Sequence, residues 1–230
     1  MFRFARMAAV AALTFSMASA ANALTLNFDE TSTSSNDTLT GASATVEMVF
    51  TDVGAGLIDI VTTVTNTTDT TSFGAGATES QLTGFGFDLL SGLSFIEADS
   101  SAGSSLDTFL TDATFNPFGE LDLAAADNNN FIGGNAQGAL SEGDTDSVTF
   151  RIAYDQNLFS GAASLEAAYL AAFINGGIQT GTRFQSVNAG EGSDKLVANY
   201  SVTIVPVPAS IFLLLSALMG LGVVRFTRIA

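Results

Sequence analysis

The chain has 230 residues, with 23 Asp+Glu against 7 Lys+Arg, 47% apolar residues and no His, Cys or Trp. Without imidazole or thiol there is no Ser-His-Asp or Cys-His nucleophile system, no Cys/His zinc site and no disulfide. The apolar share is enough to bury a sizeable core, and so acidic a chain repels nucleic acid, which is therefore not an expected partner.

Charge is placed unevenly. Arg3 and Arg6 open the chain, Arg225 and Arg228 close it, and all 23 acids fall within 29–194 beside only Arg151, Arg183 and Lys195. Residues 1–23 join the first two arginines to an apolar run through Ala12, Leu13 and Phe15, followed by small-x-small sites at Ala18-Ser19-Ala20 and Ala21-Asn22-Ala23. That order is the order of a secretory signal peptide, and the apolar run is too short for a stable membrane span. Cleavage is expected after Ala23, with Ala21 and Ala23 as its small residues, which makes the secretion machinery the first expected partner.

The body, 24–204, reads as strands separated by turns. Val46, Met48 and Phe50 alternate with Thr45, Glu47 and Thr51, the period of a half-buried strand. The pattern recurs with Ile58, Ile60 and Val64, with Phe85, Phe87 and Leu89 against Gly84, Gly86 and Asp88, and with Val148, Phe150, Ile152 and Tyr154. A last strand over 196–204 is expected to turn Leu196, Tyr200, Val202 and Ile204 inward. Thr-, Asn- and Gly-rich stretches between these runs favour turns. The fold class expected is all-β, an antiparallel β-sandwich of jelly-roll-like kind, framed by an N-terminal signal helix and a C-terminal transmembrane helix. Residues 164–173 fit two templates, because Leu165, Tyr169 and Phe173 keep helical spacing while Leu165, Ala167, Tyr169, Ala171 and Phe173 also alternate. Strand is the favoured of the two.

Calcium is the one cofactor these acids leave open. Glu142-Gly143-Asp144-Thr145-Asp146 packs three carboxylates into five residues ahead of a strand, and calcium accepts oxygen-only coordination. The order of an EF-hand loop is missing, so a solvated, edge-protecting turn is the preferred reading. Residues 189–197 resemble one calcium-binding nonapeptide of the RTX type, with Asp194 at the acidic position and Ala189 in place of the first glycine. A single copy supplies only part of such a site, and a Gly-rich turn entering a strand is preferred. Asp122 and Asp127 beside Asn128, Asn129 and Asn130 are a weaker candidate of the same kind. A pair of carboxylates could in principle hydrolyse a glycan, but no segment shows an acid embedded in an aromatic cleft and no Trp offers a sugar-stacking platform. A non-enzymatic protein is expected, with a calcium- or carbohydrate-binding module as the alternative.

At the C-terminus, Val205-Pro206-Val207-Pro208-Ala209 leads into an uncharged stretch ending at Val224, then Arg225 and Arg228. The 20 residues 205–224 are about enough to cross a bilayer core of roughly 30 Å at 1.5 Å per helical residue. Arg225 and Arg228 would stop transfer and hold the extreme end in the cytoplasm, with the acidic body outside. The alternating prolines predict an extended, exposed strip before the span.

A short Pro motif, one span and a terminal Arg cluster resemble the PEP-CTERM class of sorting signals. The motif itself is similar to the VPLPA-CTERM variant, with Val207 where that variant has Leu. The resemblance covers residues 205–230. It implies that an exosortase of a Gram-negative bacterium removes the tail and delivers the protein to the cell surface or extracellular matrix, where exopolysaccharide is an expected partner. It implies nothing about activity; a structural or adhesive role is the expectation.

Overall fold

The computed structural model describes residues 22–128, 131, 136–198 and 203–206. Twelve strands and one helix follow in chain order: β1 (Asn22–Phe28), β2 (Thr33–Ser34), β3 (Ala44–Gly54), β4 (Leu57–Asn66), β5 (Gln81–Phe87), β6 (Leu93–Ser100), β7 (Thr108–Thr114), β8 (Glu120–Ala126), β9 (Thr145–Tyr154), α1 (Ala162–Ile174), β10 (Thr180–Gln185), β11 (Asp194–Val197) and β12 (Thr203–Pro206). They form two six-stranded antiparallel sheets. Sheet 1 runs β12-β1-β3-β4-β9-β6 and sheet 2 runs β2-β11-β10-β5-β8-β7.

Between the sheets lies one apolar core. Val46, Met48 and Phe50 of β3, Ile58, Ile60 and Val64 of β4 and Val148, Phe150 and Ile152 of β9 meet Phe85 and Phe87 of β5, Phe184 of β10 and Leu196 of β11. The alternating strands of sheet 1 thus bury the faces their period assigns. Edge-to-face contact between Phe87 and Phe150, with ring centroids 5.2 Å apart, joins the two sheets, a geometry that adds to plain area burial.

Two expectations are corrected here. Residues 164–173 belong to a helix, α1, which buries Leu165, Tyr169 and Phe173. The misleading alternation arises because Ala167 and Ala171, although exposed, count as apolar, while a run of alanines is the strongest of helix formers. The helix crosses one end of the sandwich, linking β9 of sheet 1 to β10 of sheet 2. Its first N–H, that of Ala162, donates to both carboxylate oxygens of Asp52 at 3.2 Å. The single strand expected over 196–204 is two strands, β11 in sheet 2 and β12 in sheet 1. Tyr200 and Val202 lie outside the described residues.

Sheet 2 carries a feature that periodicity does not show. Its outer face is covered by a second, smaller cluster of Phe115, Leu121, Ala124, Ala126 and Phe131, with Phe118 packed against it. Glycine makes room for it: a Cβ on Gly84 would stand 2.7 Å from Cε2 of Phe131, and one on Gly181 would run into the ring of Phe115. Lys195 roofs the cluster, with Nζ 5.5 Å from the Phe115 ring centroid and 2.7 Å from the Asn116 carbonyl oxygen to which it donates.

Candidate functional site

The residues read as carrying function fall into two groups, and the fold treats them differently. Of the residues expected to direct processing, the described ones, Ala23, Val205 and Pro206, lie at one edge. β1 and β12 are antiparallel partners at the end of sheet 1, in the register Asn22↔Pro206, Ala23↔Val205, Leu24↔Ile204 and Thr25↔Thr203. The expected signal cleavage point after Ala23 therefore lies beside the first two residues of the Pro motif. Pro206 suits this place because the outer side of an edge strand needs no N–H donor. A chain beginning at Leu24 would keep the pairs Leu24↔Ile204 and Thr25↔Thr203 but would leave Val205 and Pro206 without a partner strand. Ala21, Val207, Pro208, Ala209, Arg225 and Arg228 lie outside the described residues.

The four carboxylates read as a potential calcium site are not brought together. Glu142 accepts the Ser80 N–H, and Asp144 accepts the Ser141 N–H at 3.1 Å. Asp146, only 7% exposed, takes Ser104 Oγ at 2.6 Å and the N–H groups of Ser105 and Leu106 at 2.7 and 3.0 Å. Asp194, 2% exposed, accepts from Ser34 Oγ at 2.6 Å, Thr40 Oγ1 at 2.9 Å and Thr40 N at 3.2 Å. Asp146 and Asp194 have turned to separate sets of hydroxyl and amide donors, because a buried charge must be satisfied, while Glu142 and Asp144 each accept a loop N–H. Among the described residues no three acidic side chains converge as metal ligands.

The acidic turn is corrected in role as well. β9, which it enters, is an inner strand between β4 and β6, so no edge is there to protect; Glu142 and Asp146 tie neighbouring loops down instead. The Gly-rich stretch before Asp194 is a turn entering a strand, with Gly190 and Gly192 at φ 63° and 78°.

Two further carboxylate groupings escaped sequence reasoning. On the outer face of sheet 1, Arg151 donates through Nε and Nη2 to Asp59 at 2.7 and 2.9 Å and through Nη1 to Glu97 at 2.6 Å. The hydrogen bond to Asp59 and its charge push the guanidinium pKa further up, so this is a fixed ion-pair cluster on three adjacent strands. At the α1 end, Asp88 accepts the Gln179 N–H at 2.7 Å, and Asp122 accepts the Leu89 N–H at 2.7 Å. Burial raises the Asp88 pKa against the lowering effect of its backbone bond, and the neighbouring charge of Asp122 adds to the rise. Asp88 sat in view as the outward residue after Phe87, but nothing in the local pattern shows that the β10 entry folds back onto it.

Comparison with protein-family models returned no match. Neither curated proteins nor solved structures gave a match. Among the described residues no helix is long and apolar enough to cross a membrane; the uncharged stretch from Val207 onward lies outside them.

Proposed function

We propose that this is a secreted protein of the cell surface or extracellular matrix, structural or adhesive in role and without catalytic activity. It is made with a cleaved N-terminal signal and processed by an exosortase at its C-terminal tail. The observation that carries this reading is the C-terminal series Val205-Pro206-Val207-Pro208-Ala209, uncharged stretch, Arg225 and Arg228. Support comes from the fold's last strand, which leads directly into that series at a sheet edge. Such an edge is where an extended segment can be released without unfolding a core. Cleavage at the tail would leave the mature protein with no transmembrane helix. The return of β8 and β10 onto β5 in one sheet and of β9 onto β4 and β6 in the other supports a jelly-roll-like winding for the body.

Intact mass and cell fractionation of the protein from its own host test the reading, with and without the paired changes Pro206→Ala and Pro208→Ala. Loss of the tail from the wild type, with surface or matrix location dependent on the prolines, is expected. A full-length tail held in the inner membrane in both variants would make the protein a simply anchored ectodomain.

A further inference from the structure

We infer that, while the tail is still attached, the α1 end of the sandwich rests against a neutral, zwitterionic lipid surface. The inference builds on the membrane-spanning reading of the uncharged stretch 205–224 and adds an orientation to it. Its first support is the length of chain available. Once the signal is removed after Ala23, Ile204 is the last residue of β12 that keeps its partner, Leu24, so the uncharged residues 205–224 are the whole connection from the sheet to Arg225. The extended proline strip 205–209 reaches at most about 17 Å, and that is all the linker there is.

Its second support is what else lies at the end where the chain leaves the sheet. By the register of β1 on β3, Leu24 and Ile204 stand at the level of Met48, six residues short of Gly54 at the β3–β4 turn, or roughly 20 Å at the strand rise. The turn therefore projects past the point where the chain leaves the sheet. α1 packs against β3 and β1 at this same end.

The third support is chemical. Among the described residues the exposed large hydrophobic side chains are Val53, Ile96, Leu158 and Ile174, at 42, 50, 59 and 53% exposure. Three of them belong to the α1 end: Val53 enters the β3–β4 turn, Leu158 lies in the segment from β9 to α1 beside Gly92, and Ile174 closes α1. Apolar side chains gathered on one pole and projecting beyond the chain's exit are what an interfacial contact needs. The ionisable groups of this pole, Asp52, Asp88, Asp122, Asp155 and Glu166, are acidic, which selects a zwitterionic over an anionic surface.

The absence of cysteine makes the test direct, because one introduced cysteine is the only point of labelling. The full chain is inserted into phosphatidylcholine vesicles as Leu158→Cys, Ile174→Cys, Glu30→Cys or Leu214→Cys, each carrying an environment-sensitive fluorophore, and quenching by shallow and deep spin-labelled lipids is read. The expected result is deep quenching at Leu214→Cys and shallow quenching several-fold stronger at Leu158→Cys and Ile174→Cys than at Glu30→Cys, which marks the opposite pole. Deep quenching at Leu214→Cys with the other three equally exposed to water would overturn the docking and leave the anchor standing. No lipid contact at Leu214→Cys would overturn the anchor and the docking together.

Discussion

The outer faces of the two sheets are built on opposite principles. On sheet 1 the strands alternate between core and solvent: every second residue of β4, from Ile58 to Asn66, is buried, and the residues between are half-buried. That outer face carries Thr45, Thr65, Thr145 and the cluster of Arg151 with Asp59 and Glu97. On sheet 2 the inner strands β5 and β10 are buried on both faces, because Phe115 and Phe131 close over Gly181 and Gly84. One fold thus holds a sheet that obeys simple alternation and a sheet whose outward positions were emptied of side chains to admit a second layer. The comparison shows that a glycine opposite a phenylalanine in a strand marks a covered face as readily as a solvated one.

The sharpest way to break this contrast is to remove the cover. Phe131→Ala is expected to cost about 3–5 kcal/mol, measured by urea unfolding, whereas a solvated face would make the change nearly silent. Asp194→Ala, under the same sheet's edge, strips the acceptor from Ser34 and from the Thr40 N–H and hydroxyl. A loss of about 3 kcal/mol is expected, the same in calcium as in chelator if the carboxylate serves those donors. Gly84→Ala should cost about 1–3 kcal/mol by overpacking. In a Phe131→Ala background that penalty should largely vanish, and a penalty that persisted would place its origin in the backbone instead.

Smaller effects are expected from the ionisable groups. Asp88 has a folded pKa raised above its ordinary 3.8 by burial, so the folded state holds its proton more tightly than the unfolded chain does. Stability from this group is therefore lost as pH rises from about 4 through the raised value. Asp88→Asn keeps an oxygen acceptor for the Gln179 N–H and removes the buried charge. Its Tm should equal or exceed that of the wild type at pH 7, and the two curves should converge below pH 4. The smallest change belongs to the solvated face of sheet 1. Asp59→Asn breaks an ion pair whose arginine keeps 37% of its side chain in solvent, and its effect on Tm should shrink further in high salt.

How much could be read in advance followed how the polar and apolar signals were distributed. β3, β4 and β9 were legible because each sets large apolar residues against Thr, Asp or Glu on the other face. β8, with the sequence Glu-Leu-Asp-Leu-Ala-Ala-Ala, offered that contrast only over its first four residues, since its alanines face a core on either side. α1 was misjudged for a related reason, in that alanine occupies exposed and buried turns of a helix without marking which is which. The candidate site divided in the same way. The Pro motif and the signal region were visible as continuous stretches, but their pairing at one sheet edge was not. The acids at 142–146 and Asp194 looked like ligands because sequence shows their density and hides their partners, which are serine and threonine groups up to 160 residues away.

The sequence by itself determined the antiparallel β character of the body, the inward faces of β3, β4 and β9, the exclusion of His- and Cys-based chemistry and the expectation of a processed, exported chain. Those features depend on composition and on periods of a few residues, which local backbone geometry translates directly. Only the tertiary structure decided that the chain changes sheet between β11 and β12, that phenylalanines cover the outer face of sheet 2 and that the acids serve loops instead of gathering. It alone set Asn22 beside Pro206 on the edge that α1 adjoins. These depend on contacts between residues distant in the chain, where the donor or ring nearest in space wins and sequence spacing carries no information about which it will be.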